Sequence, residues 1–293
     1  MELTSAKFQV KHSVIDESFD PDKTKRYRLF IQLGNDFLAA CILDDSRKKF
    51  ICLEDFRFHF SDNAEILAEK FELVKQQSKF LLFEDFLSVN CCVNFPKSTL
   101  VPEPLYDKNS ETLFLDFNFG ENKEELILTD DLKLIYAKNL FALPHLLQKM
   151  LLYWFPHVSI HHMSTAFINS LIISNRSREE KTVSVNVRSE VFDLAITYGS
   201  KLLFYNTFHY KTSEDFLYFI LFTLEQLQLN PEKVFVKLSG EIETHNNLHE
   251  SVLKYLQNVS FSEYLNAYKF SYRFEQLPPA AYYTLFNQHL CES

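Results

Sequence analysis

The sequence predicts an α/β fold of two domains built on mixed sheets, and three observations carry that reading. Residues 182–240 run strand, strand, turn, strand, helix, strand, over 183–187, 191–198, 201–208, 213–228 and 233–238. The same order stands in the first half of the chain, at a separation of about 150 residues, and is a repeat of order and hydrophobic period rather than of residue identity. The chain has 293 residues, 46% hydrophobic and 24% charged, enough for two domains with real cores.

Taken in order, residues 1–25 are polar and loosely attached, with one short edge strand at 7–10. A meander follows: a strand at 28–33, a tight turn at Gly34 and Asn35, a return at 36–43, and a third strand at 49–58 after the Asp44, Asp45, Ser46 turn. Ser61 or Asp62 is expected to cap a helix ending near Gln77, with Ile66, Leu67, Phe71 and Val74 as its apolar stripe. A strand at 88–94, a loop marked by Pro96, Pro102 and Pro104, a helix at 105–119 and strands at 124–128 and 133–137 complete the first half. The middle is expected to hold a helix at 140–153 with Pro144 in its first turn, a strand at 157–161 and a helix at 164–173 capped by Ser164. The second repeat ends with a helix at 249–258, a strand at 267–274 and a closing helix at 279–289. The domain expectation is therefore 1–139, connecting helices at 140–180, and 181–293.

Charge and composition exclude several roles. A net charge of −9, with Lys and Arg scattered rather than blocked, argues against nucleic acid and anionic membrane surfaces. The longest apolar run, near 216–224, is far short of the ~20 residues of a membrane span, so no direct membrane insertion is expected. No basic-then-apolar leader opens the chain, and the five cysteines lack paired zinc-site spacing, so buried reduced thiols in a cytoplasmic protein are expected. There are only 4 Gly, little for loops in which bare backbone must meet phosphate.

A doubled three-strand meander, each with a helix crossing to a parallel fourth strand, resembles the actin, Hsp70 and sugar-kinase ATPase superfamily. Most specifically the chain is similar to a bacterial family of uncharacterised proteins assigned the actin-like ATPase fold. The resemblance implies two RNase H-like domains with a three-strand antiparallel meander in each, and it covers about residues 27–290. It also implies where nucleotide chemistry would sit. The first phosphate hairpin of the superfamily, Asp, one hydrophobic residue, Gly, matches Gln32, Leu33, Gly34 and Asn35, with a neutral amide in place of the acid. The second matches Asn186 to Asp193: the first acid is Asn186, the glycines are Arg188, Ser189 and Glu190, and Asp193 survives. The paired glycines of the adenosine loop are reduced to Gly240.

Mg²⁺ takes hard oxygen ligands, usually carboxylates, water and phosphate. Amides in place of both acids remove that charge, Glu190 sets a like charge beside a triphosphate, and Arg188 fills space that glycine leaves open. The expectation is a pseudo-ATPase with no cofactor, no catalytic residue and no metal, acting through a protein partner or self-association. Two alternatives are a divergent nucleotide-binding protein using the interdomain cleft and an enzyme of other chemistry in that cleft. For the latter the sequence offers no nucleophile–base set. Asp193, between Phe192 and Leu194, is expected on the solvent face of an alternating strand. His245 and His249 have the spacing of helix-borne ligands but nothing completes a site, and the adjacent His161 and His162 point to opposite faces. The aromatic residues Tyr264, Tyr268, Tyr272, Tyr282, Tyr283 and Phe286 are read as core before interface.

Overall fold

The computed structural model describes residues 8–120, 124–265, 267–278 and 280–291. Backbone contacts divide it into two compact units. The first collects the described residues of Met1–Ala166, Asn266–Glu275 and Cys291–Ser293; the second collects Phe167–Leu265 and Gln276–Leu290. The expected joining region 140–180 is thus shared out, parting between Ala166 and Phe167.

The first unit opens with β1 (Gln9–Ile15), β2 (Tyr27–Gly34), β3 (Phe37–Asp44) and β4 (Lys49–Arg57), then α1 (Ala64–Gln77) and β5 (Ser88–Asn94). The meander β2–β3–β4 is antiparallel and β5 returns parallel to β2, as the repeat predicts. β1 is longer than the expected strand, whose Lys7 lies outside the described residues, and it is firmly paired antiparallel to β4. Its mostly exposed first half hides this in the sequence. Asn63, rather than Ser61 or Asp62, caps α1, accepting from the Glu65 and Ile66 amides at 2.9 and 3.0 Å. Leu67, Phe71 and Val74 are buried, whereas Ile66 is 45% exposed and off the stripe.

Between β5 and the next helix the expectation fails in register. The structure has β6 (Ser98–Pro102), α2 (Glu111–Phe119), β7 (Glu125–Leu132) and β8 (Ala137–Pro144), which form a separate small sheet in the order β6-β8-β7. Pro102 sits at the end of β6, an edge strand, where a missing N–H costs no ladder bond. The run 140–143 is strand, not helix. Its Leu140, Phe141 and Leu143 are all buried, and their apolar run joins Leu147 and Leu151 into a false helical stripe. α3 (His145–Trp154) begins only after Pro144. β9 (Ser159–His162) then pairs parallel to β5, extending the large sheet to β1-β4-β3-β2-β5-β9, and α4 (Met163–Asn175) leads out.

The second unit repeats the scheme with β10 (Lys181–Val187), β11 (Val191–Tyr198), β12 (Lys201–His209), α5 (Ser213–Gln226), β13 (Phe235–Gly240), α6 (Asn247–Leu253) and β14 (Asn258–Phe261). The sheet order is β12-β11-β10-β13-β14, with β13 parallel to β10. Thr212 and Asp215 form a reciprocal capping box that starts α5 where the sequence places it. Phe216, Ile220 and Leu224 of α5 close one apolar face of the sheet, Phe216 meeting Phe192 edge-on at 4.8 Å. α6 begins two residues before the expected 249–258, where the Asn246 side chain caps it by accepting from the His249 amide at 2.8 Å, and it ends at Leu253. β15 (Lys269–Phe270) and α7 (Tyr283–Phe286), with short 3₁₀ turns at Tyr272–Gln276 and Gln288–Cys291, replace the long closing strand and helix; Pro279 lies outside the described residues.

β15 belongs to the first unit, pairing parallel with β4 through Lys269 and Phe270. Polar contacts hold this late segment to the start of the chain. Asp16 takes Lys49 Nζ and the Ser18 amide at 2.8 Å each, with a further hydrogen bond from Ser271. Arg273 pairs with Glu17, to which Tyr272 Oη also donates at 2.9 Å. Burial opposes ionisation of Asp16, but the hydrogen bonds from Lys49, Ser271 and Ser18 outweigh it and hold the carboxyl well below its ordinary range. A depressed carboxyl contributes stability that is present above its unfolded value of 3.8 and is lost as pH falls toward the folded value. Asp16→Asn is expected to destabilise the first unit by about 1–3 kcal/mol at pH 7. The gap from wild type should close as pH drops below about 4. Urea unfolding followed through the single tryptophan, Trp154, buried in this unit, measures it.

Candidate functional site

The residues that the resemblance matches to nucleotide loops fall on two hairpins, one in each unit, and at the end of β13. In the first unit Gln32 is buried on β2, aligned with Ala39 on one side and Cys92 on the other. Gly34 ends the strand. A Cβ there would overlap the ring of Phe37, so the bare backbone is covered by an aromatic side chain of its own hairpin. The Arg57 guanidinium lies over that ring at 4.9 Å and grips Asp55 through two hydrogen bonds of 2.7 and 3.0 Å. Asn35 donates to the Ser61 carbonyl at 2.8 Å, and the Ser61 amide returns a bond to the Asn35 carbonyl at 2.9 Å. The turn is thereby tied to the chain that enters α1.

In the second unit the hairpin between β10 and β11 closes through Arg188 N donating to Val191 O at 2.9 Å, leaving Ser189 and Glu190 exposed at its tip. Asp193 is not on a solvent face. It is wholly buried, because β11 is covered on both sides. On the face it shares with Thr197, Asn175 of α4 donates to the Thr197 hydroxyl at 3.1 Å. Three donors converge on Asp193 Oδ1: Arg188 Nη2 at 2.8 Å, Thr207 Oγ1 at 2.8 Å and Tyr205 Oη at 3.1 Å. Asn186 Nδ2 donates to Oδ2 at 3.2 Å, and Asn186 Oδ1 in turn accepts from Ser239 Oγ at 3.2 Å. Asp193 is therefore the centre of a polar network spanning β12, β11, β10 and β13.

Arg188, at the turn, pairs its guanidinium with Asp193. Tyr210 covers the turn, its hydroxyl donating to the Arg188 carbonyl at 2.8 Å and its amide to the Glu190 carbonyl at 3.0 Å. Burial, then the charges of Glu241 and Glu190, push the Tyr210 phenol up to about 12. Gly240 has φ +84°, and a Cβ there would overlap the carbonyl oxygen of Val187, its neighbour in register on β10. Its glycine is required by strand-to-backbone contact within the unit. The Gly240 amide donates to the Ala280 carbonyl at 3.0 Å.

A second polar cluster escaped the sequence. Asp130 of β7 takes the His161 ring at 2.8 Å, the His162 amide at 2.8 Å and the Thr165 hydroxyl at 2.6 Å. His162 is sandwiched: Nε2–H donates to the Phe95 carbonyl at 3.0 Å, so Nδ1 accepts from the Ser164 hydroxyl at 2.7 Å. Asn139 of β8 donates to both Ser164 and Thr165, at 2.8 and 2.9 Å. The two histidine rings do point to different partners, as their adjacency predicts. Ser, His and Asp are all present, yet Asp130 faces the wrong ring and Ser164 is fully buried, so the set pins the small sheet to α4 and offers no nucleophile. The signal was a strand carrying Asp130 opposite one carrying Asn139, invisible while β7 and β8 were misplaced.

Among the described residues no group of three or more His, Cys, Asp or Glu is placed to hold a metal ion. His249 is buried and stacked on Phe261 at 5.4 Å, and its Nδ1 accepts from the His245 amide at 3.4 Å. Cys41, Cys52, Cys91 and Cys92 are buried free thiols; Cys291 is half-buried. Two variants test the second hairpin. Arg188→Met strands a buried carboxylate and should cost about 3 kcal/mol, while adding Asp193→Asn should recover part of that loss. Gly240→Ala should cost more than the ~1–3 kcal/mol of an unfavourable φ alone, since it also forces β13 from β10. Hydrogen exchange across β10, β11 and β13 reads both.

The family model for "Protein of unknown function (DUF3822)" matches residues 16–259. No curated protein matches the chain. Among solved structures, a Bacteroides thetaiotaomicron VPI-5482 protein with actin-like ATPase fold and unknown function is similar at 21% identity, covering 88% of this chain and 97% of that one, with a TM-score of 0.74. The PilM–PilN type IV pilus biogenesis complex holds a chain similar at 12% identity, covering 90% of this chain and 97% of its own, with a TM-score of 0.57. No helix among the described residues is long and apolar enough to cross a membrane. With more than four-fifths of its length matched and both meanders in place, the chain belongs to the DUF3822 family and has the actin-like ATPase fold.

Proposed function

We propose that this protein is a pseudo-ATPase, a non-catalytic module that uses the actin-like ATPase fold to bind a protein partner or to assemble with itself. The observation that carries the reading is the state of Asp193. The one acid retained in the second hairpin is buried and already accepts from Arg188, Thr207, Tyr205 and Asn186. To hold Mg²⁺, directly or through water, it would have to give up these donors, and the cation would then sit beside a guanidinium. Phe37 over Gly34 and the Val187 carbonyl against Gly240 support the same conclusion at the other two loops. Bare backbone that would meet an anion meets protein atoms instead.

The similar PilM chain occurs in a complex with PilN, which supports a partner-binding use of the fold. On this reading the protein works in a bacterial cytoplasm, with its strand cysteines reduced.

Calorimetric titration with Mg-ATP is expected to show no binding heat, and incubation with it no phosphate release. A thermal scan across nucleotides is expected to be flat, where a ligand at 100 times its Kd would add about 2.7 kcal/mol. Micromolar affinity with turnover would overturn the proposal; micromolar affinity without turnover would restore the divergent nucleotide-binding reading.

A further inference from the structure

α5 of the second unit carries exposed aromatic side chains beside its core-facing stripe. Phe216, Ile220 and Leu224 face the core. Beside them Tyr218, Leu221, Phe222 and Glu225 follow the i, i+3, i+4, i+7 spacing of one helical face, Leu221 at its edge still packing against the core. Tyr218 and Phe222 are 59% and 43% exposed and stack with each other at 5.8 Å. This stripe leads into a groove of about 640 Å³ lined by Leu221, Glu225, Leu229, Pro231, Glu232 and Tyr255, with Asn230 at the turn. Tyr255, after α6, is 56% exposed.

The groove carries two carboxylates and no base. Neither Glu225 nor Glu232 makes a side-chain hydrogen bond or ion pair among the described residues; Lys233, next to Glu232, and Lys254, next to Tyr255, lie outside the lining. Carboxylates beside exposed aromatic faces and an apolar floor are the chemistry that recognises a cationic side chain next to a bulky apolar one. The same acids repel a nucleic-acid backbone or an anionic lipid surface. We propose that the α5–α6 groove docks a segment of a partner protein in which Arg or Lys alternates with large apolar residues. The inference rests on the reading of this protein as an interaction module and gives that reading a surface. Leu221, Leu229 and Pro231 seat the apolar residue, Glu225 and Glu232 pair with the flanking cations, and Tyr218, Phe222 and Tyr255 pack against their aliphatic stems.

Fluorescence anisotropy with the full chain tests it, using a labelled 12-residue peptide of alternating Arg and Leu and a Glu/Leu counterpart. The Arg/Leu peptide is expected to bind at least about tenfold tighter. Glu225→Gln with Glu232→Gln should weaken it by about tenfold and flatten its salt dependence. Glu69→Gln with Glu179→Gln, which removes the same charge from exposed sites elsewhere, should leave it unchanged. Equal loss in both double variants, or equal binding of both peptides, overturns the groove. So does a concentration-dependent dimer in sedimentation that Leu221→Ser abolishes, which would assign the face to a second copy. Peptide binding together with ATP turnover would retain the groove and remove the pseudo-ATPase reading. No peptide binding without turnover would remove the groove and leave that reading standing.

Discussion

A carboxylate shut away from water must collect donors or lose its charge, and Asp193 shows what this requires of the chain around it. Its partners come from two strands and the turn between β10 and β11, so the side chains at Asn186, Arg188, Tyr205 and Thr207 depend on one another. Arg188 at the turn is then a structural necessity of the hairpin as built. The tip residues Ser189 and Glu190, which touch none of this, are left to solvent. Asp130 obeys the same rule in the first unit. It gathers His161, the His162 amide and Thr165, and through them joins the small sheet to the large one.

The sheet of the second unit is accordingly two-sided in chemistry although buried on both faces. Val183, Val185 and Val187 alternate with Thr182, Ser184 and Asn186 along β10, and all six are buried. The apolar side takes α5 and α6. The polar side takes α4, whose Asn175 reaches Thr197, and the aromatic residues near α7, where Phe167 meets Tyr283 edge-on at 6.4 Å. Hydrogen-bonded polar contacts fix a helix on a sheet at particular positions, where apolar contacts alone tolerate sliding. Nucleotide chemistry in this fold would draw on such polar groups. Here Asn186 and Ser239 join the Asp193 network and Asn175 donates to Thr197, while the Thr182 and Ser184 hydroxyls are buried without a partner among the described residues.

The repeat, the meanders and the parallel returns were legible because they rest on period and turn chemistry, which are local. Gly34–Asn35 punctuates the chain as the structure does, and α5 starts at Ser213 where the sequence places it. The small sheet was not legible. Its β8 is buried on both faces and flows into α3 with no polar break, so strand and helix look alike across Pro144. The hairpin residues were placed correctly in the chain, but their environment was not. The alternation that suggested a solvent-facing Asp193 holds in the backbone; what the sequence could not convey was that α4 covers the other side. The His162–Ser164–Asn139 contacts depend on that misplaced strand and were hidden with it.

The late return of β15 to the first unit has a bearing on synthesis. Asp16 and Glu17 are among the earliest described residues to be made, while Ser271, Tyr272 and Arg273, which complete their contacts, are among the last. The Lys49–Phe50 end of β4, which β1 does not reach, therefore gains its second neighbour only after the residues that separate it from β15 have been made, a long-range closure that comes late in folding.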